Sequence, residues 1–357
     1  MDLARSERGG APVDGARDER SATAVRPRGG ARHARVLVTG GTGFLGLHVV
    51  RRLQAEGRFV RVLARDTSAA SLPAGVEVAR GDLRDARSVH AACVGVDAVV
   101  HSGALSQPWG RALDFDAVNV AGTRHVIEGC ASAGVRRLVH VSSPSVVFTG
   151  DDQRDVRDDA PFATRCLSEY SRSKQRAEEL VRESRVPFVV LRPKALFGPG
   201  DRSLLPRLTA LAGERRLAQI GNGANEVDLT YVDNAVDAIV AAIDSERAVG
   251  RTYHVTNGEH PRLWDVIRDL LSGLGYDARL RRVPYRAAWS AAAGLELCAR
   301  LFGGEPRFTR YTVAILARTQ TYDVRGAMRD LDWKPRVPLA EGLARTVADW
   351  RSGGARA

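Results

Sequence analysis

Residues 35–46 read RVLVTGGTGFLG, an aliphatic run that passes directly into a glycine-rich turn. Gly40, Gly43 and Gly46 hold the first, fourth and seventh places of a G-x-x-G-x-x-G pattern. The run before them suits a buried strand, and residues 44–56 after them put Leu45, Val49 and Leu53 on one helical face. In a strand–turn–helix unit of this kind the glycines make the tight turn, let backbone amides approach a pyrophosphate and seat the helix on the sheet. An ordinary glycine-rich connection has the same letters, so the flanking chain has to decide between the two.

Working outward, short aliphatic runs recur at 60–64 (VRVLA), 76–79, 98–101 (AVVH), 137–142 (RLVHVS) and 188–191 (FVVL). Longer helical patterns separate them, among them 118–133 with Val118, Val126 and Cys130 on one face. Alternation of this kind predicts βαβ units and a parallel sheet. Past Gly198 the rhythm loosens, with a strand expected at 251–255 and a helix at 263–274. The expected fold class is α/β: a Rossmann-type doubly wound parallel sheet with a smaller C-terminal α/β substrate lobe. Residues 35–195 would form the dinucleotide-binding domain, and 196–350 predominantly the substrate-binding lobe, interleaved with the Rossmann core. Residues 1–34, with seven Arg and five acids but no apolar core, read as a disordered tail.

Composition narrows the function classes. At 357 residues and 44% hydrophobic the chain can bury a large core. The formal charge is +11, yet only Lys174, Lys194 and Lys334 are lysines among 53 basic residues, and the arginines are scattered. A phosphate-binding patch would cluster on one element, so no nucleic-acid partner is expected. Cys93, Cys130, Cys166 and Cys298 are far apart and lack ligand spacing, which argues against a metal site or disulfide framework. The apolar stretch 287–301 is short and interrupted by Glu296 and Arg300. No stable membrane insertion follows, and a cytoplasmic location is expected.

Several residues mark where a cofactor and chemistry would sit. Arg65, at the end of the second strand, favours a 2′-phosphate and hence NADP(H) over NAD(H); Asp66 beside it either binds ribose hydroxyls or caps a turn. Asp82, followed by Leu83, either reaches the adenine amino group or caps a helix over 85–92. Tyr170 and Lys174 lie four apart in a helical pattern and so share a face. An ammonium beside a phenol lowers the phenol pKa toward neutrality, where it exchanges protons with a substrate oxygen; a tyrosine packed on a lysine stem has the same spacing. The fifth strand ends in Val141-Ser-Ser-Pro-Ser145, at the sheet edge where open α/β folds bind ligands.

With the glycine turn, the serines and Tyr-x-x-x-Lys in order, the chain resembles the extended short-chain dehydrogenase/reductase family over about residues 35–347. His101-Ser-Gly-Ala104, Asn119-Val-Ala-Gly-Thr123, Leu191-Arg-Pro193 through Gly198-Pro-Gly200, and Tyr231-Val-Asp-Asn234 support it. Residues 141–148 (VSSPSVVF) and 192–201 (RPKALFGPGD) look most like its 3β-hydroxysteroid dehydrogenase branch. Within that branch, residues 204–208, 221–234 and 256–259 carry a resemblance to bacterial 2-alkyl-3-oxoalkanoate reductases. The resemblance implies an NAD(P)-dependent oxidoreductase that interconverts a ketone and a secondary alcohol on a bulky apolar substrate, steroid-like or 3-oxoacyl-like. Ser143 would be the catalytic hydroxyl, Tyr170 the acid/base, and Lys174 its activator and a ligand of the nicotinamide ribose. Gly40, Gly43, Phe44, Leu45 and Gly46 would hold the pyrophosphate. Ser102, Gly103 and Asn119 would line the cleft, and the backbone after Pro193 would meet the nicotinamide amide.

The chain departs from the family pattern in two places. Ser143-Pro144-Ser145 replaces the Thr-Asp-Glu of sugar-nucleotide dehydratases, which argues against dehydration, and His101-Ser-Gly-Ala104 differs from the commoner His-x-Ala-Ala. Two competing functions share the fold: a nucleotide-sugar epimerase with tightly bound NAD, and a non-catalytic cofactor-sensing protein. Trp264, Trp289, Leu295, Leu301, Phe302, Phe308 and Tyr311 would line an apolar pocket, or else be plain core. A homodimer paired through helices near 118–133 and 167–184 is one assembly that the resemblance implies.

Overall fold

The computed structural model describes residues 34–66, 72–201, 204–214, 217–277 and 279–353. The tail expected at 1–34 lies outside the described residues up to position 33. Seven strands, β1 (Arg35–Thr39), β2 (Phe59–Ala64), β3 (Glu77–Arg80), β4 (Ala98–His101), β5 (Arg137–Val141), β6 (Phe188–Pro193) and β7 (Arg251–Val255), form one sheet. All its pairings are parallel, in the order β7-β6-β5-β4-β1-β2-β3.

A parallel sheet must be covered on both faces, because its crossovers place helices there. Val36 and Val38 face α1 (Phe44–Ala55) and a second helix, Val232–Asp244, through Val49, Leu53 and Ile239. Leu37, Val99 and Leu138 point the other way, onto α2 (Ala86–Cys93) and α3 (Gly122–Ala133), through Val89, Val126 and Cys130. Strand order reverses between β1 and β4, which opens a crevice at their carboxyl ends.

The C-terminal half packs a separate apolar cluster around Trp264, Leu270, Phe197 and Tyr231. Three short parallel ladders lie outside the main sheet: Leu196–Phe197 with Thr230–Tyr231, Ala218–Ile220 with Arg281–Val283, and Gln153–Val156 with Gln320–Tyr322. β7 also comes from this half of the chain. No helix among the described residues is long and apolar enough to cross a membrane.

Two expected boundaries move. Asp85, not Asp82, caps α2, its side chain accepting from Arg87 N. The helix expected from 118 begins at Ala112 and passes through a π-helical turn, Asp116–Ala121, before α3. Such a turn inserts an extra residue and is frequent at functional sites.

Candidate active site

The glycine turn is built for close approach. Gly40 has φ 71, a left-handed conformation, and a Cβ there would come within 2.6 Å of Gly103 N. A Cβ at Gly46 would run into the Gly40 carbonyl oxygen, so α1 rests directly on the turn. Gly43 caps α1 without a side-chain bond, and the first turn, which begins with Phe44 and Leu45, holds no acid. Its N–H groups therefore stay free for an anion, and the missing Cβ atoms leave room for one to approach the backbone. That arrangement fits a dinucleotide pyrophosphate.

Below the turn lies a polar floor. Thr39 Oγ1 and Thr123 Oγ1 bond the two ring nitrogens of buried His101 at 2.7 and 2.9 Å. Burial and the Lys174 charge lower this imidazole to about 3, so it is neutral. Ser102 Oγ donates to Thr39 O at 2.8 Å. Gly103 replaces the commoner alanine where a Cβ would sit 3.0 Å from Leu83 Cδ1 and 3.1 Å from Gly40 N. Asn119, on the π turn, accepts from Leu105 N at 2.7 Å and donates to Ser173 Oγ at 2.9 Å, tying this floor to the helix of Tyr170.

At the adenine end, Asp82 is held by Arg84 through its backbone N–H and guanidinium, which lower its pKa, with a further effect from nearby Arg65. Arg65 is exposed at the end of β2.

Helix α4 (Glu169–Glu183) starts at Ser168, whose side chain accepts from Ser171 N. Lys174 is 3% exposed, and its Nζ donates to the Val141 carbonyl oxygen, the end of β5, at 2.7 Å. Burial lowers its pKa to about 8, against the opposing charge of Glu178. Ser143 Oγ accepts from Ser145 N at 3.2 Å and lies beside the Tyr170 phenol, whose pKa it lowers. Tyr170 departs from expectation: burial raises its pKa, and only Ser143 opposes the rise. The physical reason is that Lys174 is itself buried. A lysine near 8 is already neutral over the pH range in which a phenol ionises, so it supplies no charge there.

Two features escaped the sequence reading, Glu178 and Lys194, and a third, Tyr311, was expected only as an apolar pocket or core residue. Glu178 is fully buried, bonded by Arg192 at 2.6 and 3.1 Å and by Ser142 Oγ at 2.6 Å. Its signal was there: Tyr170, Lys174 and Glu178 succeed one another at four-residue steps on one helix face. Tyr311, on the helix Arg310–Ala317, brings a second phenol among Ser145, Ser171 and Tyr170, for which no local pattern exists. Lys194 follows β6, and its Nζ donates to Gln320 Oε1.

The residues expected to line an apolar pocket or to be plain core divide between these and a third place. Trp264 is core and donates to Leu316 O, while Leu301 and Phe302 on the helix Tyr285–Phe302 stand in solvent at 68% and 85% exposure. A groove of about 830 Å³ lies apart from Ser143, Tyr170 and Lys174, among Arg157, Asp158, Arg251, Asp323 and Arg329. Its acids Asp159, Asp323 and Asp330 are paired with arginines, and Asp158 accepts from His254 N at 2.7 Å.

The 3-beta hydroxysteroid dehydrogenase/isomerase family matches residues 37–284. A 2-alkyl-3-oxoalkanoate reductase of Stenotrophomonas maltophilia is 34% identical over 88% of this chain and 98% of its own length. A decarboxylating sterol-4-alpha-carboxylate 3-dehydrogenase of Mus musculus is 33% identical over 87% of this chain and 89% of its own. In fold, a UDP-glucuronic acid 4-epimerase of Bacillus cereus solved with NAD superposes with TM-score 0.69 at 21% identity, covering 89% of this chain and 99% of the other.

Proposed function

The chain belongs to the 3-beta hydroxysteroid dehydrogenase/isomerase family, and from that premise we propose that it interconverts a ketone and a secondary alcohol on a bulky apolar substrate, using NADP(H) in preference to NAD(H). One observation carries the reading: Ser143, Tyr170 and Lys174 converge where β5 and α4 meet, with Asn119 linking them to the polar floor beneath the glycine turn. Gly40, Gly43 and Gly46 with the first turn of α1 would hold the pyrophosphate, Arg65 the 2′-phosphate, and Lys174 and the backbone after Pro193 the nicotinamide half. The nicotinamide, when bound, supplies or accepts the hydride.

The side chains manage the oxygen. At neutral pH the phenol of Tyr170, its pKa raised, carries its proton and gives it to the alkoxide that develops on a ketone oxygen. Ser143 Oγ accepts from Ser145 N, so its own proton is free to donate to the same oxygen. Lys174, held by the Val141 carbonyl, keeps a positive charge below Tyr170 while pH stays under its pKa of about 8. In the oxidative direction the same phenol oxygen receives the proton back. A long-chain 3-oxoacyl body or a sterol-like body suits the names that the relatives carry.

The test is cofactor binding and turnover in parallel. The protein should bind NADPH and reduce apolar ketones, while Tyr170→Phe keeps NADPH affinity and loses turnover by about 10²–10⁴-fold. Undiminished turnover in that variant would remove Tyr170 from the chemistry. NAD retained through purification, with inertness to added NADPH, would point to an epimerase instead.

A further inference from the structure

We propose that Tyr311 is a positioning residue of the catalytic cluster: its phenol hydroxyl clamps the Ser145 hydroxyl, and through the bond between Ser145 and Ser143 it orients the Ser143 side chain toward the oxygen that Tyr170 protonates. The inference rests on the ketone/alcohol reading above. Ser143 and Tyr170 come from the turn after β5 and from α4, whereas Tyr311 is the second residue of the helix Arg310–Ala317, in the C-terminal half of the chain. The catalytic cluster is therefore completed by a residue from outside the elements that carry Ser143, Tyr170 and Lys174.

The Tyr311 phenol stands between the two segments that carry the chemistry. On one side is Ser145, in the 3₁₀ turn Pro144–Val146 that Ser143 caps; on the other is Ser171, in the first turn of α4 and next to Tyr170. Ser145 N donates to Ser143 Oγ at 3.2 Å, so whatever holds residue 145 also holds the catalytic hydroxyl. Ser171 is already engaged: its Oγ shares a hydrogen bond with Ser168 Oγ at 2.9 Å, and its N–H donates to the same oxygen at 3.1 Å. Ser145 Oγ is not engaged. The residue is 7% exposed, and among the described residues no closed hydrogen bond reaches that oxygen. An unpaired buried hydroxyl is costly, and a buried tyrosine hydroxyl normally takes a partner, so the two neighbours satisfy each other. Hydrogen bonds of a catalytic cluster are often long before substrate binds and tighten in the complex.

The root of the clamp is fixed by its own helix and by a second one. Thr309 caps the helix of Tyr311, its side chain accepting from Thr312 N at 3.1 Å. Glu296, buried on the helix Tyr285–Phe302, accepts from Arg310 N at 2.7 Å and from Arg310 Nε at 2.8 Å. Arg310 precedes Tyr311, so charge-assisted bonds hold the backbone from which the phenol projects. The bond from Lys174 to Val141 spaces α4 from β5, but the direction of Ser143 Oγ is decided by the turn 143–145, which Tyr311 abuts.

The test is a double-mutant cycle read in kcat, with wild type, Tyr311→Phe, Ser145→Ala and the double variant reducing one apolar ketone with NADPH. Tyr311→Phe keeps the ring and removes only the hydroxyl. Each single variant should lower kcat on the order of 10–100-fold, with ketone KM and NADPH affinity within about twofold of wild type, since a misplaced catalytic group costs rate rather than binding. The double variant should lose no more than the worse single one, because both changes release the same clamp. Losses that multiply would overturn the inference, as would a raised ketone KM at unchanged kcat, which would make Tyr311 a wall of the substrate pocket. Thermal melting and NADPH titration accompany each variant; a kcat loss in step with lost melting temperature and cofactor affinity would reduce Tyr311 to a structural role and overturn the inference too. All three results leave the oxidoreductase reading intact. Wild type that binds NADPH and reduces no ketone would sink that reading and this inference with it.

Discussion

Lys174 Nζ donates to the carbonyl oxygen of Val141 at 2.7 Å, fastening the middle of the tyrosine helix to the last residue of the central strand β5. Ser143 lies two residues further along that strand's exit, so this single bond sets the distance between the helix that carries Tyr170 and the loop that carries Ser143. It also buries the ammonium, and several consequences follow from its lowered pKa.

Activity and stability should move in opposite directions above pH 8. The Lys174 pKa in the fold is about 8, against a reference of 10.5, so kcat/KM should fall as pH rises through 8 and the ammonium is lost. Between those two values the unfolded chain binds the extra proton, so the stability contribution of this group rises with pH over the same window. A pH–rate profile alongside urea melts at each pH separates the two; parallel loss of both would show that alkaline unfolding, not Lys174, limits activity.

Glu178→Ala should destabilise the fold by about 3–5 kcal/mol, because it leaves the Arg192 guanidinium buried without its partner. Glu178 also raises the Lys174 pKa, so the milder Glu178→Gln should shift the alkaline limb of the rate profile to lower pH. Denaturant unfolding and the rate profile are the two readouts. A destabilised Glu178→Gln with an unmoved limb would confine Glu178 to a structural role.

Gly46→Ala places a methyl against the Gly40 carbonyl oxygen, backbone that cannot swing aside. The turn and α1 must separate, at a cost of about 1–3 kcal/mol in stability. Dinucleotide affinity should fall by more than the stability loss alone implies, since the first-turn N–H groups move with the helix. Calorimetric titration with NADPH of the folded variant checks this; wild-type affinity would mean that the pyrophosphate does not rest here.

Arg65→Ala should lower the preference for NADPH over NADH by about tenfold or more, through loss of a charge-assisted contact to the 2′-phosphate. Arg65 is exposed at the end of β2, so folding should be untouched. Fluorescence titration with both cofactors reads the ratio. An unchanged ratio would shift attention to the neighbouring Arg84, which already holds Asp82.

Much of the architecture could be read from residue order, because its signals are local. The run 35–39, the glycine turn and the helix after it are specified by neighbours within one turn of chain, and the structure places β1 and α1 there. The four-residue step from Tyr170 to Lys174 likewise put both on one helix before any packing was known. What only tertiary structure decided concerns burial, which no local window contains. Trp264 and Phe302 look alike as apolar residues, but one lies at 0% exposure and the other at 85%. The approach of Tyr311 to Tyr170, separated by 141 positions in the chain, depends on how the C-terminal helices close over the sheet edge. The upward shift of Tyr170 has the same origin: spacing supplied an ammonium beside a phenol, but desolvation by the rest of the fold brought the lysine close to neutrality and kept the tyrosine protonated.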